Sequence, residues 1–291
     1  MRRPILSSLE NWGKYTLNAL FSLLVLAQAV TAEAADNRLP VLFDSRERLA
    51  KPDLSEIGRV RFVTTVDFAP FNFIDQTGRL AGFQVDLARE ICDELKIAEK
   101  CQIQALPFAE IEAAVEGGQA EAAIAGVAVT PQLRRRFSFS RPFMELPARF
   151  VRNRKVSLPD EKAASLAGHP VGVVTGTRHA AMLQAFFPGL KAVGFADRNA
   201  MMEALKTGAV DAVFSDGLQL SFWTSGPASA NCCTFLDGPY FSEFFLSEGM
   251  TVMLRKDDTV LTAAIDHALL TLSRNGRLQE IYLRYFPYGL Y

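Results

Sequence analysis

The stretch "AVEGGQAEAAIAG", residues 114–126, returns ninety residues later as "ALKTGAVDAVFSD", residues 204–216. Each copy contains the end of a helical pattern, then a glycine (Gly118 or Gly208), then an acid at the start of an apolar strand. Glycine is the usual residue where a helix ends in the left-handed conformation. The repeat therefore predicts one helix–turn–strand unit in each of two lobes.

Strand and helix patterns alternate on both sides of this repeat. In the first half the strand pattern "RVRFVTTV" is followed by the helical pattern "FQVDLAREICDEL", and in the second half "PVGVVTG" and "NAMMEALKT" alternate in the same way. Strands separated by helices of this length predict parallel sheets with right-handed crossovers. The sequence thus indicates an α/β fold.

The two repeated strands also predict where a ligand binds. They deliver Gly126 and Asp216 to equivalent strand ends. Open parallel sheets bind ligands beyond the carboxyl ends of their strands. Two such ends facing each other would form a cleft.

The first residues have the pattern of a secretory signal. Basic residues precede the apolar stretch 19–30, whose twelve residues are fewer than the roughly 20 that span a bilayer. Small residues allow cleavage after Ala32 or Ala34. We expect residues 1–34 to be a cleavable signal peptide and the protein to be periplasmic; the alternative is a short membrane anchor.

Residues 35–58 are polar and contain proline without a sustained period. We expect an extended N-terminal arm there, with the folded part beginning near Arg59.

The overall charge argues against a nucleic-acid partner. The chain has 31 basic and 32 acidic residues, for a formal net charge of -1. The basic run at residues 134–136 has no second basic run near it, whereas nucleic-acid binders carry an extended basic surface.

The four cysteines are interpreted through export, because disulfides form in oxidising compartments. Cys92 closes a helical pattern and Cys101 opens the next strand, so a bridge between them would join a helix to a strand. Cys232 and Cys233 are adjacent and form either a vicinal disulfide or two free thiols. Neither they nor the scattered histidines have zinc-site spacing, and we expect no metal and no cofactor.

No catalytic motif of the common hydrolase, metalloprotease, P-loop or dinucleotide-binding kinds is present. Aromatic residues instead follow the strand patterns. We expect Phe71 and Phe73 to lie in the core, and Phe68 and Phe108 to wall a pocket for the apolar body of a small ligand.

Several blocks, all in order, resemble the family 3 bacterial extracellular solute-binding proteins, the polar amino-acid receptors of ABC importers. The blocks are "TTVDFAPFNFIDQTGRLAGFQVDLAREI", "AEAAIAGVAVTP", "FSFSRPF", "VGVVTGT", "GAVDAVFSD" and "NGRLQEIYLRYF". The resemblance implies a type II periplasmic binding protein, with two α/β lobes joined by a two-strand hinge and a ligand cleft between them. It also implies a monomer that delivers its ligand to an ABC permease in the inner membrane.

The same resemblance implies the extent of the lobes. Residues 59–146 and the return segment 249–291 correspond to the first lobe, and residues 147–248 to the second. The bridge between Cys92 and Cys101 resembles one in cationic amino-acid receptors.

The resemblance implies ligand contacts position by position. Phe68 and Phe108 match the aromatic pair around the ligand, Gly126 matches a backbone contact, and Asp216 matches the carboxylate that takes the ligand's α-ammonium. A further set matches the loop whose backbone N–H groups hold the α-carboxylate at a helix N-terminus, and it includes Thr175, Thr177 and Arg178.

The sequence departs from the family pattern in the first lobe. Thr65 replaces an acid, Ala128 replaces a hydroxyl residue, and Leu133 stands where the carboxylate-binding arginine is expected. Arginine comes one position later, at Arg134. Either the turn is rewound so that Arg134 enters the cleft, or the site lacks this arginine and Arg178 supplies the positive charge from the other lobe.

We therefore expect a receptor for a small polar solute that carries an amine, and not an enzyme. One alternative is a dehydratase on the same scaffold, similar to cyclohexadienyl dehydratases, although the acid absent at Thr65 argues against it. The other is an accessory binding protein without a transport role.

Overall fold

The computed structural model describes residues 38–44, 46–287 and 289–291. The described residues belong to one unit that spans residues 36–291. The expected signal peptide, residues 1–34, lies outside the described residues. In the part of the chain that is described, every helix is too short or too polar to cross a membrane.

The regular elements alternate as expected from the sequence. The strands are β1 (Val60–Thr64), β2 (Asp67–Phe68), β3 (Asn72–Ile74), β4 (Leu80–Ala81), β5 (Cys101–Ala105), β6 (Ala122–Ala123), β7 (Phe137–Phe139), β8 (Ala148–Asn153), β9 (Pro170–Val174), β10 (Lys191–Phe195), β11 (Ala212–Asp216), β12 (Cys233–Tyr240) and β13 (Met253–Arg255). The helices are α1 (Phe83–Leu95), α2 (Ile111–Glu116), α3 (Pro131–Arg136), α4 (Arg178–Phe186), α5 (Arg198–Thr207), α6 (Gly217–Ser225), α7 (Glu243–Leu246), α8 (Thr259–Arg274) and α9 (Arg277–Tyr285).

The strands form two five-stranded sheets and a small three-stranded one. The first sheet has the order β5-β1-β6-β13-β7, and with α1, α2, α3, α8 and α9 it makes up the first lobe. The second sheet has the order β10-β9-β11-β8-β12, and with α4 to α7 it makes up the second lobe. Within each sheet the strands that follow the βαβ pattern pair in parallel, as β1 with β5 and β6, and β9 with β10 and β11.

The two copies of the repeat fold in the same way. The turn after α2 is closed by a hydrogen bond from Gln119 N–H to the Ala114 carbonyl at 2.9 Å, and the turn after α5 by the equivalent bond from Ala209 to Ala204 at 2.8 Å. Gly118 and Gly208 have φ angles of 72° and 82°. These left-handed turns are the reason that glycine occurs at this position in both copies.

The acid of each copy pairs with the neighbouring strand. The Glu121 carboxylate accepts from the Arg61 guanidinium at 2.7 Å, and Asp211 lies 2.7 Å from His169 Nδ1. Both contacts hold the start of a repeated strand against the start of the strand beside it. Burial alone would raise the pKa of Glu121, but the Arg61 bonds keep it below its usual range.

Each lobe has its own apolar cores, and the periodicity of α1 shows how they form. Leu87, Ala88, Ile91 and Leu95 lie on one helical face and are buried in the first lobe. Phe71 is fully buried as expected, whereas Phe73 is only half-buried, with its ring 6.5 Å from that of Tyr285.

Two chain segments cross between the lobes, one from β7 to β8 and one from β12 to β13. They pair with each other in an antiparallel bridge between Met144 and Met250, with bonds from Met250 N–H to the Met144 carbonyl at 2.7 Å and from Phe143 N–H to the Met250 carbonyl at 2.9 Å. The ligand cleft is expected next to this paired crossing.

Packing begins before residue 59, so the expectation that the folded part starts near Arg59 is wrong. The arm has no helix or strand in its described residues, yet Leu39, Phe43 and Leu54 are buried in the first lobe's core. Its backbone also bonds to the lobe, for example through the Leu49 carbonyl at 2.7 Å from His267 Nδ1. The sequence did not reveal this packing because the buried apolar residues of the arm are too widely spaced to show a helical or strand period.

The four cysteines lie as two pairs. Cys92 on α1 is joined to Cys101 at the start of β5, with an S–S distance of 2.09 Å, and Cys232 is joined to Cys233 at 1.97 Å.

Candidate functional site

A cavity of about 120 Å³ lies where the first sheet meets the crossing segments. It is lined by three of the expected ligand contacts, Phe68, Gly126 and Ala128. The remaining wall comes from the crossing segments and their neighbours: Val127, Leu146, Leu246, Ser247, Gly249 and Met250.

The backbone of Gly126 lies close to the Phe68 ring in this cavity. Gly126 follows β6 with a φ of 69°, and a Cβ placed on it would lie 2.8 Å from Phe68 Cε1. Any larger residue would force the ring away, in addition to the strain of a positive φ. Glycine thus lets the Phe68 ring approach the backbone after β6 closely.

A second cavity, of about 460 Å³, lies in the second lobe and contains the expected loop residues Thr175 and Thr177. Thr177 caps α4: its Oγ1 accepts from Ala180 N–H at 3.2 Å and donates to the Val174 carbonyl at 2.7 Å. The N-terminus of a helix attracts anions through its free N–H groups and its dipole.

Arg178 is the first residue of α4 and is exposed. Its guanidinium has no hydrogen bond or ion pair with the described residues. A cation at the positive end of a helix is electrostatically unfavourable. An anionic ligand group at this position would relieve that repulsion.

Asp216 lies at the carboxyl end of β11 and is the N-cap of α6. Its Oδ1 accepts from Gln219 N–H at 2.9 Å, which fixes the direction of the carboxylate. Burial raises the pKa of Asp216, while the Gln219 bond and the charges of His179 and Arg198 oppose the rise.

His179 is a neighbour of Asp216 that the sequence did not single out. It lies on α4 with its ring 6.5 Å from that of Phe214, two residues before Asp216 on the same face of the strand. Burial lowers the pKa of His179, and the Asp216 charge opposes this. Acidification protonates both groups, so the site loses its negative charge as the pH falls.

Arg134 lies in neither cavity. The helix α3 is regular, with the Thr130 hydroxyl accepting from Leu133 N–H at 3.1 Å, so the turn is not rewound. Arg134 is exposed and forms an ion pair with Glu248. Leu133 packs against the apolar core in its place.

Thr65 and Phe108 also lie outside the two cavities. Thr65 is 2% exposed, and its Oγ1 has no hydrogen-bond partner among the described residues. Phe108 is 55% exposed at the start of the turn that leads into α2.

The structure thus brings the expected contacts together in two groups, one on each lobe. Phe68, Gly126 and Ala128 form the first group, and Thr175 and Thr177 form the second. Asp216 lies at the end of the second lobe's sheet. His179 was not predicted as part of the site, although the sequence shows it as a titratable residue directly after Arg178, the last residue of the predicted ligand-binding loop.

A family model described as bacterial extracellular solute-binding proteins, family 3, matches residues 60–288. Curated relatives include the L-arginine-binding protein of Pseudomonas aeruginosa, 26% identical over 84% of this chain and 93% of that protein. The lysine/arginine/ornithine-binding periplasmic protein of Escherichia coli is 26% identical over 80% of this chain and 89% of that protein.

Two solved structures show the same fold. The L-cystine solute receptor of Neisseria gonorrhoeae, in its unliganded open conformation, has a TM-score of 0.68 at 18% identity and covers 81% of this chain and 96% of its own. The second substrate-binding domain of GlnP from Lactococcus lactis, also in an open conformation, has a TM-score of 0.64 at 18% identity and covers 82% of this chain and 99% of its own.

Proposed function

The chain belongs to family 3 of the bacterial extracellular solute-binding proteins, and from this premise we propose that it is the periplasmic receptor of an amino-acid ABC transporter. In this proposal it captures a small amine-bearing amino acid or derivative between its lobes and delivers it to a permease in the inner membrane. It acts as a monomer, without catalysis, after removal of a signal peptide at residues 1–34. The curated relatives, named for arginine, lysine and ornithine, support this class of ligand.

The position of Asp216 is the observation that carries the proposal. It places an oriented carboxylate at the carboxyl end of a central strand, where this fold binds ligands. In the proposal the ligand's ammonium pairs with Asp216 when the lobes close. The Phe68 ring, held against Gly126, covers the apolar body of the ligand from the first lobe.

We assign the ligand's carboxylate, if it has one, to the second lobe. Arg134 already pairs with Glu248, and Leu133 is apolar, so neither offers a free positive charge. Arg178 does, and it stands beside the N–H groups at the start of α4. We therefore propose that Thr175, Thr177 and Arg178 hold the carboxylate.

The other end of the ligand is proposed to be uncharged. Thr65 has no charge at the position where the family pattern has an acid. The cavity beside Phe68 is lined by apolar side chains, glycines and one serine, without a carboxylate. A second cationic group on the ligand would find no carboxylate among the residues that line this cavity.

We propose lobe boundaries from the same structure. The chain leaves the first sheet after β7 and returns to it at β13, which supports a first lobe of residues 59–146 and 249–291 and a second of residues 147–248. The Met144–Met250 bridge is the proposed hinge.

A thermal-shift screen tests this function. The probes are the twenty amino acids, ornithine and the corresponding decarboxylated amines. A ligand at 100 times its dissociation constant stabilises the folded protein by about 2.7 kcal/mol. We expect at least one amino acid with an uncharged side chain to raise the unfolding temperature, and the amines to have smaller effects.

Two results would contradict the proposal. Turnover of prephenate or arogenate would show a dehydratase instead of a receptor. Lack of stabilisation by every probe, together with co-purification of another protein, would favour an accessory role.

A further inference from the structure

The segment Gly289–Tyr291, which follows α9, contacts both lobes. Its attachment to the first lobe is through Leu290, whose side chain is 0% exposed. Leu290 N–H donates to the Tyr282 hydroxyl at 3.0 Å, and the rings of Tyr282 and Tyr291 lie 5.9 Å apart. The segment is therefore fixed to α9 and to the core beneath it.

The same segment is bonded to α6 in the second lobe. The Ser221 hydroxyl donates to the Gly289 carbonyl at 2.6 Å. Next to this bond, Leu218 packs into the first lobe's core, and the Phe222 ring lies 6.5 Å from that of Phe286. One face of α6 is thus docked on the first lobe.

A buried arginine adds a second bond to the second lobe. Arg149 on β8 is 9% exposed, and its Nη1 donates to the Leu290 carbonyl at 3.3 Å. Its guanidinium lies 4.5 Å from the Phe235 ring centroid, and its Nε has no partner among the described residues. Because a buried charge needs hydrogen-bond acceptors, loss of the Leu290 carbonyl would leave Arg149 poorly satisfied.

The segment also contacts both crossing segments. The Tyr291 hydroxyl donates to the Glu145 carbonyl, in the first crossing segment, at 2.7 Å. The Tyr291 ring stacks on Phe241, in the second, with centroids 6.1 Å apart. Rotation of the lobes about the crossing segments would change these contacts.

We propose that Gly289–Tyr291 is a non-covalent clamp that holds the two lobes in the arrangement that this structure shows. The two crossing segments connect the lobes covalently, and the clamp makes a third connection beside them. It acts on α6, the helix that Asp216 caps. Movement of Asp216, the carboxylate proposed to bind the ligand, therefore strains the clamp. This inference does not depend on the identity of the ligand.

Double electron–electron resonance tests the clamp by measuring the distance between two spin labels, one on each lobe, in protein without ligand. A keto amino acid that carries a spin label is placed at exposed Glu99 in the first lobe and at exposed Lys191 in the second. This labelling needs no added cysteine, so the two disulfides stay intact. The test variant combines Ser221→Ala with Tyr291→Phe and removes two hydroxyl groups. We expect the ratio of the arrangement in this structure to all others to fall about tenfold, because one hydrogen bond between the lobes and one to a crossing segment are lost.

Matched variants separate the clamp from general loosening. Thr224→Ala removes a hydroxyl on the same helix that bonds only to that helix, at 2.9 Å from the Leu220 carbonyl. Tyr285→Phe removes a hydroxyl on α9 that bonds to Asp86 within the first lobe. Both should keep the parental distance distribution.

Two outcomes would overturn the clamp. One is a test variant with the parental distribution. The other is an equal broadening in the control variants. Neither outcome bears on ligand binding, so the proposed function stands or fails separately in the thermal-shift screen.

Discussion

Arg134 and Leu133 differ from the family pattern by one position, and that offset determines which side chain faces the core. One step along a helix rotates a side chain by about 100°. Leu133 packs inward, and Arg134 turns outward to Glu248. The sequence predicted the offset but not the partner, because Glu248 is 114 residues away along the chain.

Other residues of the site were predictable to different degrees. Asp216 and Gly126 followed from the repeat, which aligns the ends of two strands. His179 beside Asp216 was not predicted, since their approach depends on how α4 packs on β11. Contacts between a helix and the strand on which it packs are set by tertiary packing, which residue spacing does not encode.

The two arginines are expected to differ in their effect on binding. Arg134→Ala should change the free energy of ligand binding by less than about 0.5 kcal/mol, since exposed ion pairs contribute little. Arg178→Ala should weaken binding of an amino acid by at least about tenfold, because the ligand's desolvated carboxylate loses its positively charged partner. Calorimetric titration of both variants measures this difference. A larger loss in Arg134→Ala would place the carboxylate in the first lobe.

At the scale of elements, long periodic helices were predicted best. The pattern "FQVDLAREICDEL" corresponds to α1, Phe83–Leu95, because its apolar residues repeat at the helical period. The small sheet β2-β3-β4 was not predicted, since strands of two or three residues are too short to show a period. The arm was expected to be extended, but its burial was missed.

The arm provides a prediction about stability. Leu54 is 7% exposed in the first lobe's core, so Leu54→Ala should lower the free energy of unfolding by about 2–5 kcal/mol. Val41 on the same arm is 68% exposed, and Val41→Ala should change it by less than about 0.5 kcal/mol. Urea denaturation followed by circular dichroism measures both. A Leu54→Ala effect below about 0.5 kcal/mol would show that Leu54 adds nothing to the stability of the core.

At the scale of the whole molecule, the repeat predicted two α/β lobes with corresponding strand ends. It did not predict that the candidate contacts lie in separate cavities, one on each lobe. It also gave no sign of the Gly289–Tyr291 clamp, whose contacts join residues far apart in the chain. Such contacts depend on how the lobes are placed, and local sequence patterns carry no information about that.

In the proposed mode of binding, an ammonium group of the ligand pairs with Asp216 when the lobes close. Asp216→Asn tests it well, because asparagine also caps helices and should keep α6 intact while removing the charge. Asp197→Asn is the matched control: Asp197 caps α5 through Ala200 N–H at 2.9 Å.

Calorimetric titration compares the affinity of the parent protein with that of these two variants. The ligand is the amino acid that stabilises the parent most in the thermal-shift screen. Loss of one partner of a buried charge pair costs about 2–5 kcal/mol, so Asp216→Asn should weaken binding at least about 25-fold. Asp197→Asn should bind like the parent. Parental affinity in Asp216→Asn would contradict pairing of the ligand's ammonium group with Asp216.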